Sequence, residues 1–239
     1  MKNHLKRVTS PKSWGLPRRE RVFITRPKPS GHPLDMGLPL GVVIRDLLKL
    51  ASTMSEVKKI LNNKEVLIDG KRRRDHRFLV GLFDVVSLPS LQKHYRMLLD
   101  LRGCLTLLET SPTEAGMKLC RVVGKTVLPG GKIQYHLHDG KNVFLETAAS
   151  VGDSLSLSIP AQKAQKIFPL RAGATVLLAE GKNAGHFGVL KELRGVEATY
   201  AAPDGNTVET VKKYLFVVGE KEPAIILSSK VKGEKQTGK

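Results

Sequence analysis

The stretch Glu65–Phe78, "EVLIDGKRRRDHRF", decides how this chain reads. Val66 and Ile68 alternate with their neighbours as on one face of a short strand, and Asp69-Gly70 is a strong hairpin signal. Four cations follow at once: Lys71, Arg72, Arg73 and Arg74. A turn so loaded with positive charge asks for a partner. Upstream, "GVVIRDLLKLA" (41–51) predicts a short helix, with Val43, Leu47 and Leu50 on its apolar face and Arg45 and Lys49 on another. Ser52 or Ser55 is expected to cap a second helix, "EVKKILNN" (56–63). Its Val57, Ile60 and Leu61 face inward while Lys58 and Lys59 point away. Downstream, Asp84 precedes an apolar strand, Val85 to Leu88.

If Arg45, Lys49, Lys58, Lys59, the run Lys71 to Arg74, His76 and Arg77 share one face, they make a concave basic surface suited to a phosphate backbone. Phe78 and Phe83 are flanked by Leu and Val and are expected in the core. Without a stacking platform, such a surface should read the shape and backbone of folded RNA rather than splayed bases.

The composition points the same way. Among 239 residues, 40 Lys+Arg stand against 22 Asp+Glu, a formal charge of +18, which favours a polyanionic partner. No apolar run approaches the ~20 residues that span a bilayer. Nothing at the N-terminus reads as a signal peptide. Cys104 and Cys120 lack metal-ligand spacing and are expected as buried thiols of a reducing compartment. The expectation is a soluble cytoplasmic protein that binds nucleic acid, with no membrane, small-molecule substrate, metal or cofactor.

Residues 1–39 contain Pro11, Pro17, Pro27, Pro29, Pro33 and Pro39, which break helices and central strands. They are expected to be a basic arm that orders on RNA through Lys6, Arg7, Lys12, Arg18 and Arg19, with Trp14, Phe23 and His32 interspersed. Residues 40–92 hold the helix–helix–hairpin unit, and 93–170 read as a small all-β domain of short strands with Gly-rich turns. Within it, "YHLHDGKN" (135–142) aligns His136, His138 and Asp139, but no further ligand has suitable spacing for a metal. Residues 171–215 form another β unit, with strands at Val176–Leu178 and Gly188–Leu193 around a glycine-rich loop that is neither a Walker loop nor GxGxxG. Its glycines permit the positive φ of a tight loop. Residues 216–239 hold a last strand and a basic tail expected to be disordered. No GxSxG, HExxH or comparable catalytic set occurs, so no enzymatic activity is expected.

The order helix, helix, strand, basic turn, strand resembles the S-four-type RNA-binding module. "VLLAEGKNAGHFGVLKEL" (176–193) resembles the KOW motif, whose loop contacts RNA or protein. That resemblance implies contacts at Lys182, Asn183 and His186. From His4 to about Leu227 the chain resembles the archaeal and eukaryotic small-subunit ribosomal protein family "S-four-e". "HLKRVTSPKSW", "GLPLGVVIRDLLKLA", "KLCRVVGKTVLPGGKIQYHLHDGKN" and "GATVLLAEGKNAGHFGVL" carry that likeness, together with the hairpin stretch. The order "SGHP" (30–33) departs from the family's frequent Gly-Pro-His.

The resemblance implies a multi-domain α+β protein: basic arm, S-four-like module, central β domain and KOW/SH3-like β unit. It further implies a non-catalytic constituent of the small ribosomal subunit, bound to ribosomal RNA and to neighbouring small-subunit proteins. The alternatives are an RNA-modifying enzyme with an appended S-four module, or a free translation or transcription factor. The enzyme would need a catalytic domain that residues 91–239 do not display.

Overall fold

The computed structural model describes residues 4–145, 147–203 and 205–227. The expected tail over 228–239 therefore lies outside the described residues. Among those described, the strands form three five-stranded and two two-stranded sheets, and every strand pair is antiparallel. Helix is sparse, and after residue 90 the only α-helical turn among the described residues is Pro112–Ala115.

The Glu65–Phe78 stretch folds as its turn chemistry dictates. Leu67–Ile68 pairs with Lys71–Arg72, and Asp69 and Gly70 both have positive φ (49° and 73°), as a type I′ turn requires. The strand Leu67–Ile68 then pairs with Val85–Leu88, which pairs with Lys93–Leu99, which pairs with Leu105–Thr110. The boundary expected at 92/93 thus falls inside a sheet. Two strands assigned to the central domain complete the sheet of the preceding unit, because Val85–Leu88 would otherwise carry an uncovered edge.

The second helix is Met54–Asn63, and its cap is neither Ser52 nor Ser55. Thr53 Oγ1 accepts from the Glu56 N–H, and Glu56 accepts from the Thr53 N–H, a reciprocal capping box. Val57 and Leu61 are buried, and Lys58 and Lys59 exposed, as the spacing predicts. The first helix differs more. Leu40–Val42 is a single α-turn that widens into a π-turn over Val43–Leu47, and Lys49 leaves it at φ 53°. Leu40, Val42, Val43 and Ile44 are buried, whereas Leu50, expected inward, lies beyond the helix end at Leu48 and is 41% exposed.

The N-terminal segment is not free of the body. Leu5–Lys6 pairs with Phe23–Ile24, and Gly37–Pro39 pairs with Leu79–Gly81. Trp14 is 1% exposed and its indole N–H donates to Leu34 O. Trp14 and His32 anchor the arm to the protein, whereas Phe23 and His4 stay exposed, their rings edge to face. Trp14, Ile24 and Leu38 enter one continuous core shared with the helices, the first sheet and the last sheet.

The central sheet runs Asn142–Phe144, Ile133–Leu137, Met117–Val127, Ser154–Ser158, Ala164–Phe168, around a separate small core that includes Cys120, Val122, Tyr135 and Leu155. The last sheet runs Thr207–Val211, Glu197–Ala201, Phe187–Arg194, Thr175–Leu178, Leu215–Gly219. Its glycine-rich loop is spaced as the sequence implies, with Gly181 and Gly185 at φ 92° and 87°. Gly185 also has no room for a side chain: a Cβ there would lie 1.9 Å from Asp100 O. The loop therefore seats on the Asp100–Cys104 turn of the first sheet. On that turn, Cys104 also meets Gly15 of the arm. Cys104 is half-buried there rather than enclosed, and Cys120 is buried.

Candidate nucleic-acid interface and its buried charge cluster

The structure divides the basic run by strand alternation. Lys71 and Arg73 line a pocket of about 290 Å³ between the hairpin, the arm and the central sheet. Arg72 turns the other way and its Nη2 donates to Asn62 O at the end of Met54–Asn63. Arg74 is exposed, and Arg77 donates from Nε to Arg26 O at 3.0 Å. Lys28, Lys58 and Arg77 lie close enough to His76 that burial first, and then these cations, push its imidazole below its ordinary pKa. This is an electropositive patch that joins the arm to the second helix.

A second depression gathers Arg7, Arg21, Arg45 and Lys49 with Glu20 and Asp46. The charges here are partly spent. Arg45 makes two hydrogen bonds to Asp46, at 2.8 and 2.9 Å. Arg7, expected as a surface contact, is 2% exposed, donates to Pro17 O and pairs with Glu20 at 3.1 Å. It is a pin for the fold of the arm, because a guanidinium out of water needs its donors filled. Arg18 also turns inward, to Ser10 O at 3.1 Å. Lys6, Lys12, Arg19, Lys49, Lys58, Lys59, Lys71 and Lys182 are exposed. Asn183 and His186 are half-buried in the loop that seats on Asp100–Cys104, and Asn183 hydrogen-bonds Tyr200. That loop makes its close contacts within the chain and lines neither depression.

Beneath the pocket lies a cluster of residues whose association the sequence does not reveal. Lys118 Nζ reaches Asp69 Oδ2 at 2.7 Å, Asp139 Oδ2 at 3.0 Å and Asp84 Oδ1. Lys141 bridges Asp69 and Asp139 at 3.0 and 3.1 Å, and His32 Nε2 meets Asp84 Oδ1 at 3.2 Å. The second oxygen of Asp84 accepts from the Gly81 N–H, and Asp69 Oδ1 accepts from the Val85 N–H. Burial by itself pushes Asp84 and Asp139 up; Lys118 overrides it, aided by His32 at Asp84 and by Lys141 at Asp139, and holds both carboxyls well below their ordinary range. Burial likewise opposes the Lys118 ammonium, yet Asp84 and the other anions around it raise its pKa well above the ordinary value. The cluster joins the arm, the hairpin unit and the central sheet. The available signal was a lone charge inside apolar runs: Asp84 before "VVSL" and Lys118 in "MKLC".

The histidine motif does not bring its two imidazoles together. His136 bonds Thr126 and Asn142, while His138 points elsewhere, packed between the rings of His32 and Phe216. Cys120, His138 and Asp139 do bring ligand atoms within 4.8 Å of one another. These atoms already have partners within the protein, however. His138 Nδ1 accepts from the Arg121 N–H, Asp139 Oδ2 takes Lys118 and Lys141, and burial raises the Cys120 thiol so that it stays protonated. A primary ammonium holds the place a cation would take.

Sheets and charge of this kind define a strongly basic, β-rich protein, and comparison with known proteins narrows the class. Residues 91–164 match "Ribosomal family S4e", and residues 1–35 match the "RS4NT (NUC023) domain". The chain is 39% identical over 229 residues to a protein of Methanocella arvoryzae named small ribosomal subunit protein eS4, covering 93% of this chain and 97% of that one. It is 41% identical over 241 residues to the protein of that name from Methanocaldococcus jannaschii, covering 95% and 98%. The crystal structure of the 30S ribosomal protein S4e from Thermoplasma acidophilum superposes with a TM-score of 0.68 at 30% identity, covering 78% of this chain and 96% of that one. The chain belongs to ribosomal protein family S4e.

Proposed function

We propose that the protein is a structural, non-catalytic constituent of the small ribosomal subunit that braces folded ribosomal RNA and touches neighbouring small-subunit proteins. The observation that carries this reading is near-full-length identity to proteins named small ribosomal subunit protein eS4. A formal charge of +18 supports an RNA partner. The contacts would be Lys/Arg to phosphate, releasing counterions, with the exposed Lys6, Lys12, Arg19, Lys49, Lys58, Lys59, Lys71, Arg72, Arg74 and Lys182 foremost. Arg45, Arg73 and Arg77 are half-buried and would contribute less.

The finer division follows from the same reading. Residues 40–110 act as the S-four-like unit, 117–168 as the central β domain, and 171–219 as the KOW-type unit with its closing strand. Sedimentation of the endogenous protein through a sucrose gradient after a high-salt wash tests the assignment. Stoichiometric retention on the small subunit is the expected result; release into the free fraction would assign it to a dissociable factor.

A further inference from the structure

The pocket of about 290 Å³ above the charge cluster is close to the lower limit of small-molecule sites. Its wall is not uniformly charged. Ile68, Phe78 and Leu79 supply apolar surface, while Lys71, Arg73 and Lys141 supply positive charge. The Arg73 guanidinium lies over Phe78, 4.3 Å from its ring centroid. A guanidinium plane backed by an aromatic ring is a platform on which an unstacked base can lie. The carboxylates of the floor are already taken by Lys118, Lys141, His32 and backbone N–H groups. Arg73 Nε and His32 Nδ1 have no hydrogen-bond partner, but both atoms are closed to solvent. The His32 side chain is only 6% exposed, so bulk water does not satisfy it.

We propose that this pocket receives one unstacked nucleotide of the bound RNA, its base on the Arg73–Phe78 stack and its phosphate at Lys71 and Lys141. The proposal rests on the RNA-binding role above and adds to it a single-nucleotide contact where the rest of the basic surface meets backbone. A base flipped into a fixed pocket would set the register of the arm, the hairpin and the central sheet on the RNA, since all three line it.

The test places a photoreactive benzoylphenylalanine at Gln162, which lines the pocket and is half-buried, in the full chain assembled into the small subunit. After irradiation the ribosomal RNA is mapped by primer extension. The expected result is a stop at one nucleotide, with its yield about tenfold lower when Arg73→Lys removes the stacking plane but keeps the charge. The same probe at Val189, exposed on another sheet, should not give that stop. Adducts only with protein, no RNA adduct, or a stop unaffected by Arg73→Lys would overturn the proposal while the subunit role stands. If the unsubstituted protein fails to sediment with the subunit, the role itself fails, and the pocket with it.

Discussion

Lys118 Nζ and Asp69 Oδ2 lie 2.7 Å apart, although 49 residues separate them and each belongs to a different sheet. Asp69 is the first residue of the hairpin turn, so the turn that opens the basic run is tied from beneath to the central domain. With Asp84 and Asp139 completing the set, one ammonium meets three carboxylates, Lys141 adds a second positive charge, and His32 Nε2 lies 3.2 Å from Asp84 Oδ1.

Removing that ammonium should therefore cost far more than an ordinary surface change. Lys118→Met keeps the length of the side chain and strands buried carboxylates. The expected loss is about 3–5 kcal/mol of unfolding free energy. Urea unfolding followed by circular dichroism measures it. A loss below ~1 kcal/mol would show that the cluster is held together without Lys118.

Acid should weaken the fold in a defined window. The Arg121 N–H is directed at His138 Nδ1, which places the ring proton on Nε2, facing Leu82 O at 3.4 Å. Burial, followed by Lys118 and His32, pushes the His138 pKa down to about 3. Unfolded, this histidine binds a proton near pH 6.5, so the unfolded state gains protons first. Stability should fall as the pH drops from about 6.5 towards 3, by roughly 1.4 kcal/mol per pH unit for this group. Asp84 and Asp139, depressed when folded, add to the loss once the pH passes below about 4, where the unfolded carboxyls protonate. Thermal unfolding at a series of pH values reads this, and His138→Gln should flatten the upper part of the curve.

The seating of the glycine-rich loop gives a third prediction. Gly185→Ala would combine a Cβ 1.9 Å from Asp100 O with a φ of 87° that alanine disfavours. The loop should lift from the Asp100–Cys104 turn. Limited proteolysis should then cut after Lys182, at least several-fold faster than in the parent, while Gly195→Ala, with nothing near its Cβ, should not change cleavage there.

Cations that look equivalent in sequence should behave differently. Replacing exposed Lys71 and Arg74 with Ala should reduce the salt dependence of RNA binding by about 0.9 for each duplex phosphate left without its cation, or about 0.7 on a single strand. Arg7→Ala should instead lower the melting temperature, because Arg7 is buried against Glu20 and Pro17. Filter binding across a salt series, alongside calorimetry, separates the two effects. An unchanged slope in the Lys71/Arg74 double variant would remove those residues from the interface.

The local elements were legible in the chain because the interactions that form them are local. Asp69-Gly70 specifies its turn through positive φ, Val57 and Leu61 specify the buried face of their helix, and the glycines at 181 and 185 specify a tight loop. The excess of Lys and Arg announced an anionic partner, since net charge is additive and does not depend on fold. The placement of each cation was another matter. Arg7 and Lys6 are adjacent in the chain, yet one is buried and the other exposed. Lys71 and Arg73 part from Arg72 and Arg74 only once strand pairing sets which way each side chain points. Lys118, Asp69, Asp84, Asp139 and His32 carry no mutual spacing that could reveal them. They meet because the arm, the hairpin unit and the central sheet pack on one another, and at that contact each charge loses its water and must take the nearest opposite charge instead.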